Sequence, residues 1–510
     1  MDNLENNKRI VKNTMALYVR MLFTMIVSLY TTRIVLQTLG EDDYGLFNLV
    51  GAVISMLGVF TSLLTQGTSR FITVALGKND SKMLNDTFSS SITIHIIFAS
   101  IIFILGILIG LPEIEHLNIE SSRIETARFV FLLSLATAMI GIIQSPYNAT
   151  IIAHEKMNLY AYIGIWDATS KLFIVYFLTA IDIDKLKLYS ILYFLTSLVT
   201  FIMYYTYCKK KFNECKMIRF KIDKQLYKDI FCYTGWNTIG AIAFTMNGQG
   251  ITIILNMFST AVVAARGVAL TVSNFIFSFV NSFLTATRPQ IIKLYSSHHI
   301  SEMNRLIMRT SKFSLILISF IGLPLFIEMD KILLLWLGEV PEYTSIFIRF
   351  ALIQGVIQAI DYPIGTGIHA VGKMKLPNIT SSLIYLTILP LSFFAIKLGA
   401  TPTITYVIIV CVYPIALFTD MYILNKYTLF PIKEFILKNI LVPATLVILT
   451  TITTEYIINT FFEQSLIRIF ITVIITYTFF LPSIFLFAFN SKERYFVINT
   501  IRNRFIKNKK

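Results

Sequence analysis

Apolar stretches of about 20 residues, each long enough to cross a hydrocarbon core of about 30 Å as a helix, recur along the whole chain. They lie near 13–38, 43–67, 87–111, 123–152, 159–181, 187–208, 229–255, 262–287, 306–327, 343–369, 376–397, 402–424, 435–458 and 465–488. That pattern predicts an all-α polytopic membrane protein with about 14 transmembrane helices. Composition agrees: 55% of residues are hydrophobic and 14% charged, against about 25% charged in an ordinary soluble domain. The first span carries Arg20 and Arg33 and lacks a small-residue cleavage site, so it reads as a retained helix rather than a signal peptide.

An even number of crossings puts both termini on one side, and the basic residues identify it as the cytoplasm. Lys8, Arg9 and Lys12 precede the first span, Lys156 follows the fourth, and Lys209, Lys210, Lys211 and Lys216 begin the connection after the sixth. Acidic residues such as Glu41, Asp42, Asp43, Glu113, Glu115, Glu328 and Asp330 fall on the opposite side. The net charge of +15 is therefore a mark of topology, and nucleic-acid binding is not needed to explain it. The same basic face suits anionic membrane lipids.

Two stretches read as copies of one another. Pro146, Ile151, Ala153, Lys156 and Met157 recur with the same spacing as Pro363, Ile368, Ala370, Lys373 and Met374. A repeat of that period predicts two pseudo-symmetric six-helix lobes, the arrangement in which secondary transporters place a site between like halves. The expected organisation is an N-lobe over 1–210 and a basic cytoplasmic linker over 211–228. A C-lobe over 229–425, two further helices over 426–490 and a basic tail over 491–510 follow.

No enzyme is evident. The predicted outer loops are too short to carry a catalytic domain. A phosphate-loop look-alike from Gly367 to Gly372-Lys373 ends in Met374, where magnesium binding needs Ser or Thr. The histidines lack zinc spacing, and Cys208, Cys215, Cys232 and Cys411 suggest neither disulfides nor metal. No cofactor is expected.

Charges well inside membrane spans are costly and generally face a cavity or one another. Arg20 and Arg33 in the first span, Lys171 in the fifth, Arg266 at the start of the eighth and Arg349 in the tenth make a candidate cationic cavity. Arg33, Arg266 and Arg349 are equally consistent with snorkelling to the headgroups. Asp167 stands four residues before Lys171 and can neutralise it. Asp167, Asp361 and His95 are candidates for coupling to an ion or holding helices together. In the seventh span Asn237, Gly240, Asn247, Gly248, Gln249 and Gly250 allow either close packing or a gating hinge. A cavity lined by arginine suits a phosphate-bearing anion, because the planar guanidinium makes bidentate charge-assisted bonds.

The run Asn13-Thr14, Leu17-Tyr18, Arg20, Leu29-Tyr30, Arg33-Ile34-Val35-Leu36, Leu39-Gly40, Asp43-Tyr44-Gly45 and Arg70-Phe71-Ile72 resembles the polysaccharide-export (Wzx-like) branch of the multidrug/oligosaccharidyl-lipid/polysaccharide exporter superfamily. So does Pro146-Tyr147-Asn148-Ala149 through Ala153-His154-Glu155-Lys156-Met157 and Tyr160-Ala161. The resemblance implies a flippase of the bacterial inner membrane that moves undecaprenyl-pyrophosphate-linked oligosaccharide by alternating access. It also implies a cationic cavity, onto which Arg20 and Arg33 carry over, and leaves open whether H+, Na+ or membrane potential drives the cycle and whether polysaccharide polymerase machinery is a partner. A multidrug antiporter of the same superfamily is the alternative reading, and a membrane-embedded polymerase is a third.

Overall fold

The computed structural model describes residues 2–77, 80–154, 156–181, 183–216, 224–372, 375–463, 465–491, 493–495 and 498, with side chains left out at 2–19, 57–67, 70, 74, 77, 157, 224–239, 282, 286 and 289. Arg70, Asn237, Lys373 and Met374 of the sequence reading, part of the 211–228 linker and most of the tail therefore lie outside the described side chains. The described residues are overwhelmingly helical, and no strand occurs among them.

The order is α1 (Asp2–Gly77), α2 (Ser81–Leu105), α3 (Leu111–Glu113), α4 (Ile124–Ala153), α5 (Met157–Ala180), α6 (Lys185–Lys211), α7 (Lys224–Leu255), α8 (Thr260–Ser296) and α9 (Ile300–Ile327). Then come α10 (Met329–Leu337), α11 (Thr344–Val371), α12 (Lys375–Leu386), α13 (Ile388–Lys397), α14 (Ile404–Thr428), α15 (Ile432–Glu434), α16 (Val442–Phe461) and α17 (Leu466–Ser483). Among the described residues twelve helices are long and apolar enough to span a membrane. The first of these, Arg20–Met56, covers parts of two expected spans, and the expected seventh is α7, whose apolar described part is Gly240–Leu255. Every one of the fourteen expected spans is thus helical. The differences are local: the first two spans join as α1 with a kink at Gly40, and the eleventh divides into α12 and α13.

Gly40 has φ +82°, a left-handed conformation that suits glycine and breaks the helical run without a loop. Other helices start where the sequence supplies a cap. Asp80 accepts from the Met83 amide, Asp184 from the amides of Leu186 and Lys187, and Ser465 from the Arg468 amide. The two sequence copies adopt the same local form. Pro146 lies inside α4, which ends at Ala153, and Pro363 inside α11, which ends at Val371.

The chain divides into two compact units. Unit 1 comprises Met1–Thr271, Leu337–Thr344 and Tyr385–Thr405. Its helices are tied by the Asp43-Tyr44-Gly45 segment. Arg123, just before α4, donates to Asp43 of α1 and, at 3.0 Å, to Asp184 at the start of α6. Asp184 is outside the spans; burial pushes its carboxyl up, but the Lys187 amide, Arg123 and Thr126 outweigh that and hold it below the ordinary range. A methyl at Gly45 would strike the backbone carbonyl of Thr260 in α8, and the Thr260 hydroxyl donates to Asp42 at 2.6 Å. The motif is therefore a packing joint: lipid gives helices no hydrophobic reason to associate, so contact rests on close approach and hydrogen bonds.

Unit 2 comprises Val272–Trp336, Ser345–Ile384 and Tyr406–Lys510. Its core gathers Ile307, Leu315, Ile364, Met421, Leu424, Phe430 and Phe435 from α9, α11, α14 and the turn before α16. A polar clamp secures α17. Arg468 donates to Glu328 at 2.8 Å and to Asn459 at 2.7 Å, and Thr472 donates to Glu328 at 2.9 Å.

Candidate functional site

In unit 1, two of the sequence-predicted residues, Asp167 and Lys171, fall along one face of α5, and a third, Arg20 of α1, packs against that face. Tyr160, Gly164, Asp167 and Lys171 are spaced by four, three and four, which keeps them in line on a helix. Arg20 of α1 lays its guanidinium over the Tyr160 ring, 4.4 Å from the centroid. Gly164 makes room for this: a Cβ there would be 2.6 Å from the Arg20 Cδ. Farther along, Lys171 Nζ donates to Asp167 at 2.9 Å and sits 5.7 Å from the Tyr193 ring centroid of α6. Tyr204 of α6 lies in electrostatic reach of both Arg20 and Asp167. The result is a strip of charge and aromatic faces shared by α1, α5 and α6.

Among the described residues Arg20 is held without being neutralised. Its Nε is buried and has no hydrogen-bond partner among the described residues, and no carboxylate pairs with it there. A cation kept by an aromatic face retains its donors for an incoming anion. Lys171 differs, because Asp167 already accepts from it and an anion must compete for that bond.

The other predicted cations separate in position. Arg33 is half-buried and makes no ion pair among the described residues. It lies thirteen positions after Arg20, hence about 20 Å along α1 and about 140° around it, on a different face. Arg266 is 4% exposed and donates from Nε to Thr252 at 2.9 Å and from Nη2 to the Gly248 carbonyl at 2.7 Å, joining α8 to α7. Arg349 of unit 2 donates to Asp330 at 2.8 Å and to the Phe326 carbonyl at 3.1 Å.

α7 runs unbroken past Asn247, Gly248, Gln249 and Gly250. Gly250 packs against Leu389, so close packing accounts for that glycine in this structure. Asn247 is buried with its Oδ1 unpartnered among the described residues. His95 of α2 is fully buried; Nδ1 donates to the Ser91 carbonyl at 2.7 Å, which makes Nε2 the acceptor of the neutral ring, and Nε2 has no partner among the described residues.

A second polar locus, inside unit 2, was only half visible in sequence. Asp361 of α11 has a buried, unpartnered Oδ1 among the described residues and lies in electrostatic reach of Asp420 of α14. Ser381 of α12 donates to Asp420 at 3.1 Å. Two carboxylates in electrostatic reach of one another in a membrane make a place that a proton or monovalent cation would neutralise. Among the described residues, no group of three or more His, Cys, Asp or Glu is placed to hold a metal ion.

Comparison with known proteins adds a family to this geometry. The model of the family described as polysaccharide biosynthesis protein matches residues 10–295, and a MatE model matches 238–394. No curated protein sequence matches the chain. Among solved structures, an inward-facing multidrug resistance MATE family transporter of the MOP superfamily is 12% identical, covering 80% of this chain and 94% of that one, with TM-score 0.69. The lipid II flippase MurJ, in an inward closed conformation, is also 12% identical, covering 93% of this chain and 98% of that one, with TM-score 0.69. The MATE multidrug transporter DinF-BH is 13% identical, covering 83% and 96%, with TM-score 0.60. At these identities the structures speak for a common fold, while the family match extends over more than half of the sequence: the chain belongs to the polysaccharide biosynthesis protein family.

Proposed function

We propose that this protein is a flippase that carries undecaprenyl-pyrophosphate-linked oligosaccharide units across the bacterial inner membrane for surface polysaccharide synthesis, working by alternating access with both termini in the cytoplasm. The observation that carries the reading is Arg20: a guanidinium inside a membrane span, seated on Tyr160 beside Gly164, with a buried Nε that nothing described satisfies. In a low-dielectric setting such a group favours a phosphate-bearing lipid over a cationic drug. Membership of a polysaccharide biosynthesis family and a fold shared with a lipid II flippase support the same choice.

In a strain lacking the protein, surface polysaccharide is expected to disappear and lipid-linked repeat units to accumulate on the cytoplasmic leaflet, with drug tolerance unchanged. The MatE match over 238–394 favours a second reading, a small-molecule antiporter. Intact surface glycan together with altered drug tolerance in that strain would establish the antiporter and sink the flippase.

Coupling is assigned to Asp361 and Asp420. Their carboxylates are the acids that a driving ion would meet in unit 2. Asp361→Asn and Asp420→Asn are each expected to slow transport in proteoliposomes and to remove its response to an imposed proton or sodium gradient. A gradient response equal to that of the unaltered protein in both variants would clear these residues of the role.

A further inference from the structure

The flippase reading makes no use of a polar cavity at one end of unit 2, of about 360 Å³, between the first turns of α9, the α15–α16 turn and the residues just after α17. Arg305, Arg309, Lys312, Lys438, Glu434 and Glu493 line it. The carboxylates are already engaged: Lys312 donates to Glu493 at 2.6 Å and Lys438 to Glu434 at 3.0 Å. Arg305 and Arg309 have no acidic partner among the described residues, so the cavity holds two cations in excess. One acceptor is also open. Glu493 is 8% exposed, and its Oε1 is buried with no donor among the described residues.

A second cavity, of about 240 Å³ and almost wholly apolar, lies between α9, α11 and α16. Its walls include Leu323, Phe326, Val356 and Ile452. The same two helices, α9 and α16, run from the polar cavity to the apolar one. From Arg309 to Gly322 along α9 is thirteen residues, or about 20 Å. That is the depth of one leaflet, about 15 Å of hydrocarbon plus part of a headgroup. A charged pocket and a greasy groove one leaflet apart on shared helices match the two ends of a single amphiphile.

We propose that the two cavities form one binding site for a phospholipid with an anionic glycerol headgroup, in the leaflet that holds the start of α9. Arg305 and Arg309 bind the phosphodiester, a headgroup hydroxyl donates to Glu493 Oε1, and an acyl chain lies in the α9–α11–α16 groove. The charge argues for this occupant: an amine headgroup would bring a third unpaired cation among the two arginines, and an uncharged one would leave both unsatisfied. The length argues likewise, because a polyprenyl chain far exceeds one leaflet. The bound lipid would fasten α16 to α9.

The test uses the full-length protein in vesicles containing phosphatidylglycerol and phosphatidylethanolamine, extracted gently and weighed by native mass spectrometry. The unaltered protein is expected to retain one phosphatidylglycerol. The Arg305→Ala/Arg309→Ala variant is expected to retain about twenty-five-fold less, taking about fivefold for each arginine at an anionic lipid surface. Ile452, which is 58% exposed, offers a control that leaves the charges intact. Ile452→Trp fills the groove and is expected to lower retention as well, which decides the matter if the double variant fails to fold. Retention at the unaltered level in a folded variant of either kind overturns the proposal, and so does selective retention of phosphatidylethanolamine or of a polyprenyl phosphate by the unaltered protein.

Discussion

Arg20→Ala abolishes surface polysaccharide while the protein remains inserted and folded: this is the result expected if the substrate's phosphates dock on the guanidinium. Hydrogen bonds to charged groups contribute about 1.5–3 kcal/mol each, so losing a single bond slows transport by about ten- to a hundredfold. Arg20→Lys keeps the charge but loses the planar fork and is expected to fall between the two. Gly164→Ala gives an independent handle, because its methyl would press on the Arg20 Cδ and shift the guanidinium from the Tyr160 face. Arg33 faces elsewhere on α1, so Arg33→Ala alone is expected to cost less than Arg20→Ala. Unaltered export in the Arg20→Ala/Arg33→Ala double variant, measured with lipid-linked intermediates and membrane insertion side by side, would exclude α1 as the phosphate-binding element.

The second large effect is on stability. Arg468 is 9% exposed and Glu328 3% exposed, and the pair joins α17 to the turn between α9 and α10. Arg468→Ala leaves the buried carboxylate only the Thr472 hydroxyl and the more distant Lys331 ammonium at 3.5 Å, which costs about 3 kcal/mol of stability, the lower end for a broken buried pair. Burial by itself pushes the Glu328 carboxyl up, but hydrogen bonds from Arg468 and Thr472 and the charges of Arg468 and Lys331 outweigh it and hold the group below the ordinary glutamate range. A lowered folded value means that the contribution is present above the unfolded glutamate value of about 4.3 and is lost as pH falls through the folded value. Thermal unfolding in detergent is therefore expected to weaken toward acid in the unaltered protein, with a smaller acid loss in Arg468→Ala. Equal midpoints for the two proteins at neutral pH would show that the pair contributes nothing net.

What sequence could reach, and what it could not, divides along physical lines. Membrane spans are legible because each is a self-contained run whose length is set by the bilayer, and every expected span is helical. Lys171 and Asp167 were also within reach, since spacing of four on a helix brings them together. Tyr160, Gly164 and Tyr193 were not: an aromatic ring or a glycine in a span is ordinary, and only packing of α1 and α6 onto α5 makes these three matter. Arg123 bridges Asp43 and Asp184, sixty or more positions away in the chain, a role its place beside a helix end does not announce. Asp420 carries no local mark of a role; what singles it out is its electrostatic reach to Asp361 of α11 and the bond from Ser381 of α12. In each case the missing information was a contact between distant segments, which no local pattern encodes.

The kink at Gly40 also has a mechanical meaning. Beyond it, Asp42 and Gly45 anchor α1 to α8 at Thr260, and Asp43 anchors it to Arg123 just before α4. Before it, twenty residues of helix lead back to Arg20, a rod of about 30 Å. A pivot of about 10° at that glycine sweeps the far end through about 5 Å, more than the length of a hydrogen bond. One backbone torsion can thus act as the fulcrum of a lever that delivers or withdraws a charge.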